Sequence, residues 1–249
     1  MMDFVTITQY TFLVAFVGMS GGTLYFLLLK PTVPIAYQSS VATSAVYCFV
    51  AAVVYGYMNY KYGIGTDLLA KGQYPTELRY VDWLITTPLI VLKFPELLQG
   101  SKSNVAVAGT IVVADFMMIL FGFAGETSIN AAKGGGNLVG WMMFGMSMLA
   151  WLFIIVILYT SVTQAAQDKL EPIKIGLSRL KLFIVIGWAI YPVGYFVTLL
   201  SAAPEMRLAR ELIYNFADLF NKVGFGMVAL FAIQQMLREA QIRQAMQSL

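Results

Sequence analysis

Histidine is absent from the 249 residues, and cysteine occurs once, as Cys48. Without histidine there is no imidazole acid–base catalysis, no histidine-ligated haem and no histidine pH switch. A single cysteine makes neither an intramolecular disulfide nor a cysteine metal cluster, so no metal site is expected. Cys48 reads most simply as a small buried apolar residue. Charge is scarce as well: 12% of residues are charged, about half the share of a soluble domain. The net charge of +3 is small and its basic residues scattered, which argues against a nucleic-acid partner. The opening MMDFVTITQY has no basic n-region, so a cleaved signal peptide of the usual form is not expected.

What remains is apolar. Hydrophobic residues make up 59% and the mean hydropathy is +0.74, the composition of a polytopic membrane protein. At about 20–25 residues per crossing, the length holds roughly seven helices. Seven apolar runs can be read, at about Gln9–Leu29, Ile35–Tyr60, Thr76–Leu98, Val105–Ala124, Leu138–Thr163, Ile175–Leu200 and Leu212–Leu237. The polar stretch KYGIGTDLLAKGQYPTE suits a turn or a short β-hairpin between the second and third runs. Gly100–Asn104 is expected to end the third run, and a loop with Gly134-Gly135-Gly136 to precede the fifth. With no internal repeat or low-complexity linker, residues 1–249 read as a single domain. The fold expected is all-α, a seven-transmembrane-helix bundle.

Alternate loops hold unequal positive charge. One set carries eight Lys or Arg (Lys30, Lys102, Lys169, Lys174, Arg179, Lys181, Arg238, Arg243), the other five (Lys61, Lys71, Lys133, Arg207, Arg210). The positive-inside bias then sets the N-terminus outside and the C-terminus in the cytoplasm.

Three runs contain polar residues in apolar surroundings. In ELIYNFADLFNKVGFG, Asp218 and Lys222 lie four apart, one above the other on a helix face, with Tyr214 a turn earlier. Each mid-membrane charge costs about 2.5–3.5 kcal/mol on insertion scales. The pair is therefore either a self-neutralised helix contact or an amine held for covalent or proton chemistry beside its counter-charge. In RYVDWLITTPLIVLKF, Arg79, Asp82, Trp83, Thr86, Ile90 and Lys93 share one face. Three ionisable groups at successive depths read as an ion or proton route. Arg79 and Lys93 can also snorkel to the two ends, whereas Asp82 is too short for that. Pro88 is tolerable if Thr86 or Thr87 hydroxyls satisfy the freed backbone. In GWAIYPVGYF, Trp188, Tyr191 and Tyr195 share a face: either a packing stripe or, with Trp83, a sandwich for a flat apolar ligand.

Taken together, RYVDWLITTPL, GWAIYPVGY and ELIYNFADLFNKVGFG make the chain resemble the microbial (type 1) rhodopsins across all seven runs. Within them it is most similar to the proteorhodopsin group and its lysine-donor proton pumps of the Exiguobacterium rhodopsin type. The resemblance implies all-trans retinal at the bundle centre as a Schiff base on Lys222, with Asp82 and Asp218 as counterions. It makes Asp82 the proton acceptor and Arg79 the outward gate. It implies a retinal pocket of Tyr55, Trp83, Thr87, Ile90, Met118, Gly122, Phe144, Ser147, Trp188, Tyr191, Tyr195 and Asn221. The group's three-position motif reads Asp82, Thr86, Lys93 here. Its first residue argues against a chloride pump and the set does not match a sodium pump. Lys93 replaces the usual donor carboxylate. Desolvation disfavours a charged amine, so a neutral Lys93 taking protons from the cytoplasm can still serve as donor.

Departures and remainders follow from the same resemblance. Val54 stands where relatives carry a histidine bonded to the acceptor, which leaves the pumping range of Asp82 to its other neighbours. Ile90 suggests green absorption, and Phe144 fills the glycine window of antenna-bearing relatives, so no carotenoid is expected. Asp115 is expected to be a hydrogen-bonded structural carboxyl. Glu126 and Glu205 are candidate release-side groups, with solvated loop charges as the plainer reading. The partners expected are lipid, protons and further copies of the chain, in the cell membrane of a prokaryote. The leading function is a light-driven outward proton pump rather than an enzyme. The alternatives are a photosensor coupled to a transducer and a seven-helix transporter without chromophore. Adding all-trans retinal to the apoprotein should produce a visible band that hydroxylamine bleaches under light; a product that stays colourless selects the transporter.

Overall fold

The computed structural model describes residues 3–99, 102–131, 136–201 and 203–247. Among these the secondary structure is helical throughout, and the helices group into seven successive spans. The first is Phe4–Leu29 and the second Ile35–Tyr62. The third is Thr76–Val91, continued after a break at Leu92 by the short helix Lys93–Leu98. The fourth is Lys102–Ala131. The fifth, Leu138–Ile157, passes through a π-helical turn at Leu158–Val162. The sixth is Glu171–Leu182, a π turn at Phe183–Gly187, and Ile190–Leu200. The seventh is Pro204–Leu219, a π turn at Phe220–Gly224, and Phe225–Gln247. The expected order and number of spans hold. Lys133, Gly134 and Gly135 lie outside the described residues.

Local chemistry explains the boundaries. Asp3 caps the first span by accepting the Thr6 amide at 2.7 Å, and Asn137 caps the fifth by accepting that of Gly140 at 2.7 Å. Pro172 and Pro204 stand in the first turns of the sixth and seventh spans, where a missing N–H costs nothing. Gln99, at φ 47°, ends the short helix after the third span. The stretch before Pro75 folds as turns without strand pairing. Its amides are used locally, Gly72 N to Leu69 O at 3.0 Å and Gln73 N to Leu68 O at 2.9 Å, so no ladder forms. At Pro88 the threonine hydroxyls do not reach the carbonyl of Leu84, the one a proline frees. Thr86 donates to Asp82 O at 2.9 Å and Thr87 to Trp83 O at 2.8 Å, the two carbonyls preceding it.

Neighbouring spans pack in sequence order, and the seventh returns against the first, closing a ring. Among the described residues six helices are long and apolar enough to cross a membrane. The third span falls short by that measure because its continuous helix, Thr76–Val91, is 16 residues long before the break at Leu92. Large apolar side chains such as Leu24, Leu28, Val113, Leu149 and Leu200 point outward and remain exposed, as a lipid-facing surface requires. Inward, the ring surrounds Arg79, Asp82, Lys93, Asp115, Glu126, Arg210, Glu211, Asp218 and Lys222, all buried.

Close helix approach places glycines where a methyl group has no room. A Cβ at Gly226 would meet Phe26 at 2.5 Å and the Tyr47 hydroxyl at 2.6 Å, whereas one at Gly145 would meet nothing within 4 Å. Gly226→Val should therefore lower thermal stability in detergent by about 1–3 kcal/mol, with Gly145→Ala unchanged as the control. Equal melting of the two variants would contradict this packing.

Candidate functional site

The seventh span positions the centre. Asp218 ends its first helix and Lys222 lies in the π turn that follows, a widened turn of the kind often found at functional positions. The turn is fixed from the sixth span. Asn221 Nδ2 donates to Gly187 O at 2.9 Å, and Phe183 stacks on Phe220 at 5.0 Å. A Cβ at Gly187 would lie 2.0 Å from Asn221 Oδ1, so the approach needs a glycine.

Lys222 Nζ donates to Asp82 Oδ2 at 2.5 Å and lies 3.0 Å from Asp218 Oδ1. The two carboxylates are held differently. Asp218 accepts the Trp83 indole at 2.9 Å and the Tyr191 hydroxyl at 2.8 Å on one oxygen, and the Tyr55 hydroxyl at 2.7 Å on the other. Asp82 has the amine alone; its Oδ1 has no hydrogen-bond partner among the described residues. Asp218 is thus satisfied as an anion, while Asp82 keeps an oxygen free for a proton.

A mostly apolar cavity adjoins this centre. Nine of the expected pocket residues line it: Trp83, Thr87, Met118, Gly122, Phe144, Ser147, Trp188, Tyr191 and Tyr195. Tyr55, Ile90 and Asn221 do not. Tyr55 bridges Asp218 and Arg79, Ile90 is packed in the core, and Asn221 holds the sixth span. Sequence reasoning missed Tyr80, Ile119, Met148, Trp151, Pro192 and Tyr214 on the wall; all but Tyr214, which stands a turn before Asp218, lie about one helical turn or less from an expected pocket residue. Lys222 is not on the wall. It is joined to it through Asp218, which two wall residues hydrogen-bond.

Outward from the centre runs a buried ionic chain. Tyr55, donor to Asp218, accepts from Arg79 Nη1 at 2.9 Å. Arg79 pairs with Glu211 Oε2 at 2.7 Å and donates to Asn215 Oδ1 at 2.6 Å. The other oxygen of Glu211 takes Arg210 at 2.8 Å, and Arg210 lies 3.6 Å from Glu126. Tyr214 donates to Glu126. Alternatives left open by the sequence are decided here, and the reading of Arg210 and Glu126 changes. Arg79 does not snorkel but is locked between Tyr55, Asn215 and Glu211. Arg210 and Glu126 are not solvated loop charges; each is buried in the other's field. Glu205 is exposed and apart from this chain. Glu211 was missed altogether. Its seven-residue spacing before Asp218, two turns on one face, was the available signal.

On the opposite side Lys93 is fully buried, 3.2 Å from Ser40 Oγ and 3.4 Å from Glu96 Oε2. Asp115 Oδ2 accepts the Thr87 hydroxyl at 2.8 Å, and Cys48 is buried. Val54 is half-buried and packs against apolar neighbours of the first and second spans. Among the described residues no group of three or more His, Cys, Asp or Glu is arranged to hold a metal.

A family model described as bacteriorhodopsin-like protein matches residues 6–236. The chain belongs to the bacteriorhodopsin-like family. These rhodopsins bind retinal covalently and work as light-driven ion pumps or sensors. The green-light absorbing proteorhodopsin of Gamma-proteobacterium EBAC31A08 is 31% identical over 224 residues, 89% of this chain and 84% of that protein. Sensory rhodopsin-2 of Haloarcula vallismortis is 35% identical over 188 residues, 74% of this chain and 73% of that one. The crystal structure of Exiguobacterium sibiricum rhodopsin aligns with TM-score 0.84 at 46% identity, covering 92% of this chain and 97% of that one. The site suits the family's cofactor. Trp83 and Trp188 supply flat apolar walls, and a Cβ at Gly122 would come within 2.9 Å of the Tyr80 hydroxyl at the cavity edge.

Removing one partner from the rhodopsin's outward chain should be costly. Glu211→Gln leaves two buried guanidinium groups facing each other and is expected to lower stability by about 3–5 kcal/mol. Glu205→Gln, on the surface, should stay within about 0.5 kcal/mol. Unfolding in graded denaturing detergent measures both.

Proposed function

We propose that this rhodopsin is a light-driven outward proton pump of prokaryotic cell membranes. The observation that carries the reading is the Lys222 amine held between a fully hydrogen-bonded Asp218 and an under-bonded Asp82. When bound through Lys222, all-trans retinal supplies the absorption of light and the isomerisation that loosens the proton on the Lys222 nitrogen. Asp82 takes that proton, since its amine neighbour is only 2.5 Å away and its second oxygen is free. Asp218, tied by Tyr55, Trp83 and Tyr191, stays charged and keeps the nitrogen's electrostatic environment constant. Arg79 gates the outward path through Tyr55 and Glu211, and Glu126, buried beside Tyr214 and Arg210, replaces Glu205 as the stronger release-side candidate. Lys93 returns a proton to the Lys222 nitrogen from the cytoplasmic side.

Direction follows from charge. With Arg210 and Lys181 both buried, the outer loops keep four of the five basic residues counted there, against seven of eight on the other side. This favours an outer N-terminus and a cytoplasmic C-terminus. A sensory role is the second reading, supported by the likeness to sensory rhodopsin-2; the buried donor-side lysine favours pumping.

Illuminated cells in weakly buffered medium should acidify it, and a protonophore should abolish the signal. Asp82→Asn should end pumping and shift absorption to the red; full pumping in that variant would refute its role as acceptor. Lys93→Ala should slow the final recovery phase about a hundredfold or more, with azide restoring the rate.

A further inference from the structure

Once Lys93 has given up its proton, a fully buried amine must be recharged from water it does not touch. The short helix Lys93–Leu98 supplies a route. Residues 93 and 96 are one turn apart on the same face, and Glu96 Oε2 lies 3.4 Å from Lys93 Nζ. Among the described residues Glu96 is the carboxylate in ion-pair contact with Lys93. Its side chain is 20% exposed where that of Lys93 is 0%. The other oxygen of Glu96 accepts the Thr43 hydroxyl of the second span at 2.6 Å, which fixes the carboxylate between the amine and the surface. The end of this helix is held by Gln99, whose side chain donates to Ala36 O and whose carbonyl accepts Lys169 Nζ at 3.2 Å. The loop lysine marks this rim as the polar end of the bundle rather than its lipid face.

We propose that Glu96 is the proton-collecting carboxylate that recharges Lys93, so that the two form one donor unit. The inference rests on Lys93 being the donor. At rest the unit holds one proton as ammonium and carboxylate, with no net charge, which is how the amine is sustained in an apolar interior. The ammonium gives its proton to the Lys222 nitrogen, leaving a neutral amine and an anionic Glu96. Glu96 takes a proton from cytoplasmic hydronium and passes it to Lys93, restoring the start. Among the described residues the other titratable neighbours of Lys93 are Tyr47, whose ring centre lies 5.8 Å from Nζ, and the buried Cys48 thiol; Ser40 and Thr43 contribute uncharged hydroxyls.

Flash photolysis of the retinal-loaded protein in liposomes tests this with Glu96→Gln, Glu96→Ala, Glu96→Asp and Lys93→Ala. In Glu96→Gln and Glu96→Ala the visible band and the first proton transfer should be unchanged. Recovery should slow and fall about tenfold per pH unit, because capture becomes first order in hydronium; azide should restore it. Glu96→Asp should regain the flatter wild-type pH profile. Either of the first two variants decides if the other does not assemble. Wild-type recovery in them, or a slowing by the same factor at every pH, reduces Glu96 to a brace and overturns the proposal. Slow recovery in Lys93→Ala with normal recovery in Glu96→Gln removes Glu96 alone. Normal recovery in Lys93→Ala removes the donor assignment itself.

Discussion

A single cation held between two anions, out of reach of water, is the constraint around which the bundle is built. Lys222, Asp82 and Asp218 are each no more than 1% exposed. One amine and two carboxylates leave an excess negative charge in an apolar interior, where uncompensated ions are expensive. Arg79 supplies the compensation through Tyr55, and its own burial then requires Glu211. Glu211 brings in Arg210, and Arg210 brings in Glu126. This half of the molecule is therefore a sequence of alternating charges, each needed because of the one before it.

The two halves differ in character. On the Arg79 side, ions and hydrogen-bonding side chains are continuous from Asp218 to Glu126, drawn from the second, third, fourth and seventh spans. On the Lys93 side, the amine has a serine hydroxyl and a longer contact to one carboxylate, beside a large apolar cluster. Under the proposed pumping function, a continuous polar path beside a nearly dry one would give transport its direction, since the well-connected side exchanges protons more readily than the insulated side. The cavity takes its place at the junction, walled by aromatic rings. Trp83 contacts Tyr80, Tyr191 and Tyr214 edge-on at centroid distances of 4.9, 5.2 and 5.1 Å, so the wall is rigid where it meets the carboxylates.

Much of this was legible in the linear order of residues. Helical spacing aligned Arg79, Asp82, Trp83 and Lys93 on one face, and Asp218 with Lys222 on another, because 3.6 residues per turn is a local property. Apolar length marked the spans, since each must cross the same hydrocarbon thickness. Turn residues located the Gly63–Pro75 connection, although not its form; a hairpin and a run of local turns use the same residues. Arg210 was misread as a loop charge because it sits at the edge of an apolar run, where sequence does not tell a solvated end from a buried one.

The sequence by itself determined the seven crossings, the ionisable residues they carry and the faces on which those residues align, all consequences of short-range geometry and of lipid as solvent. Only the tertiary structure decided which charges meet: that Asp218 is saturated with donors while Asp82 is not, that Glu211 joins two arginines, and that Glu96 stands beside Lys93 under the hand of Thr43. Such pairings depend on how whole helices rotate and close against one another. That rotation is set by packing and charge balance across spans, which no single stretch of chain encodes.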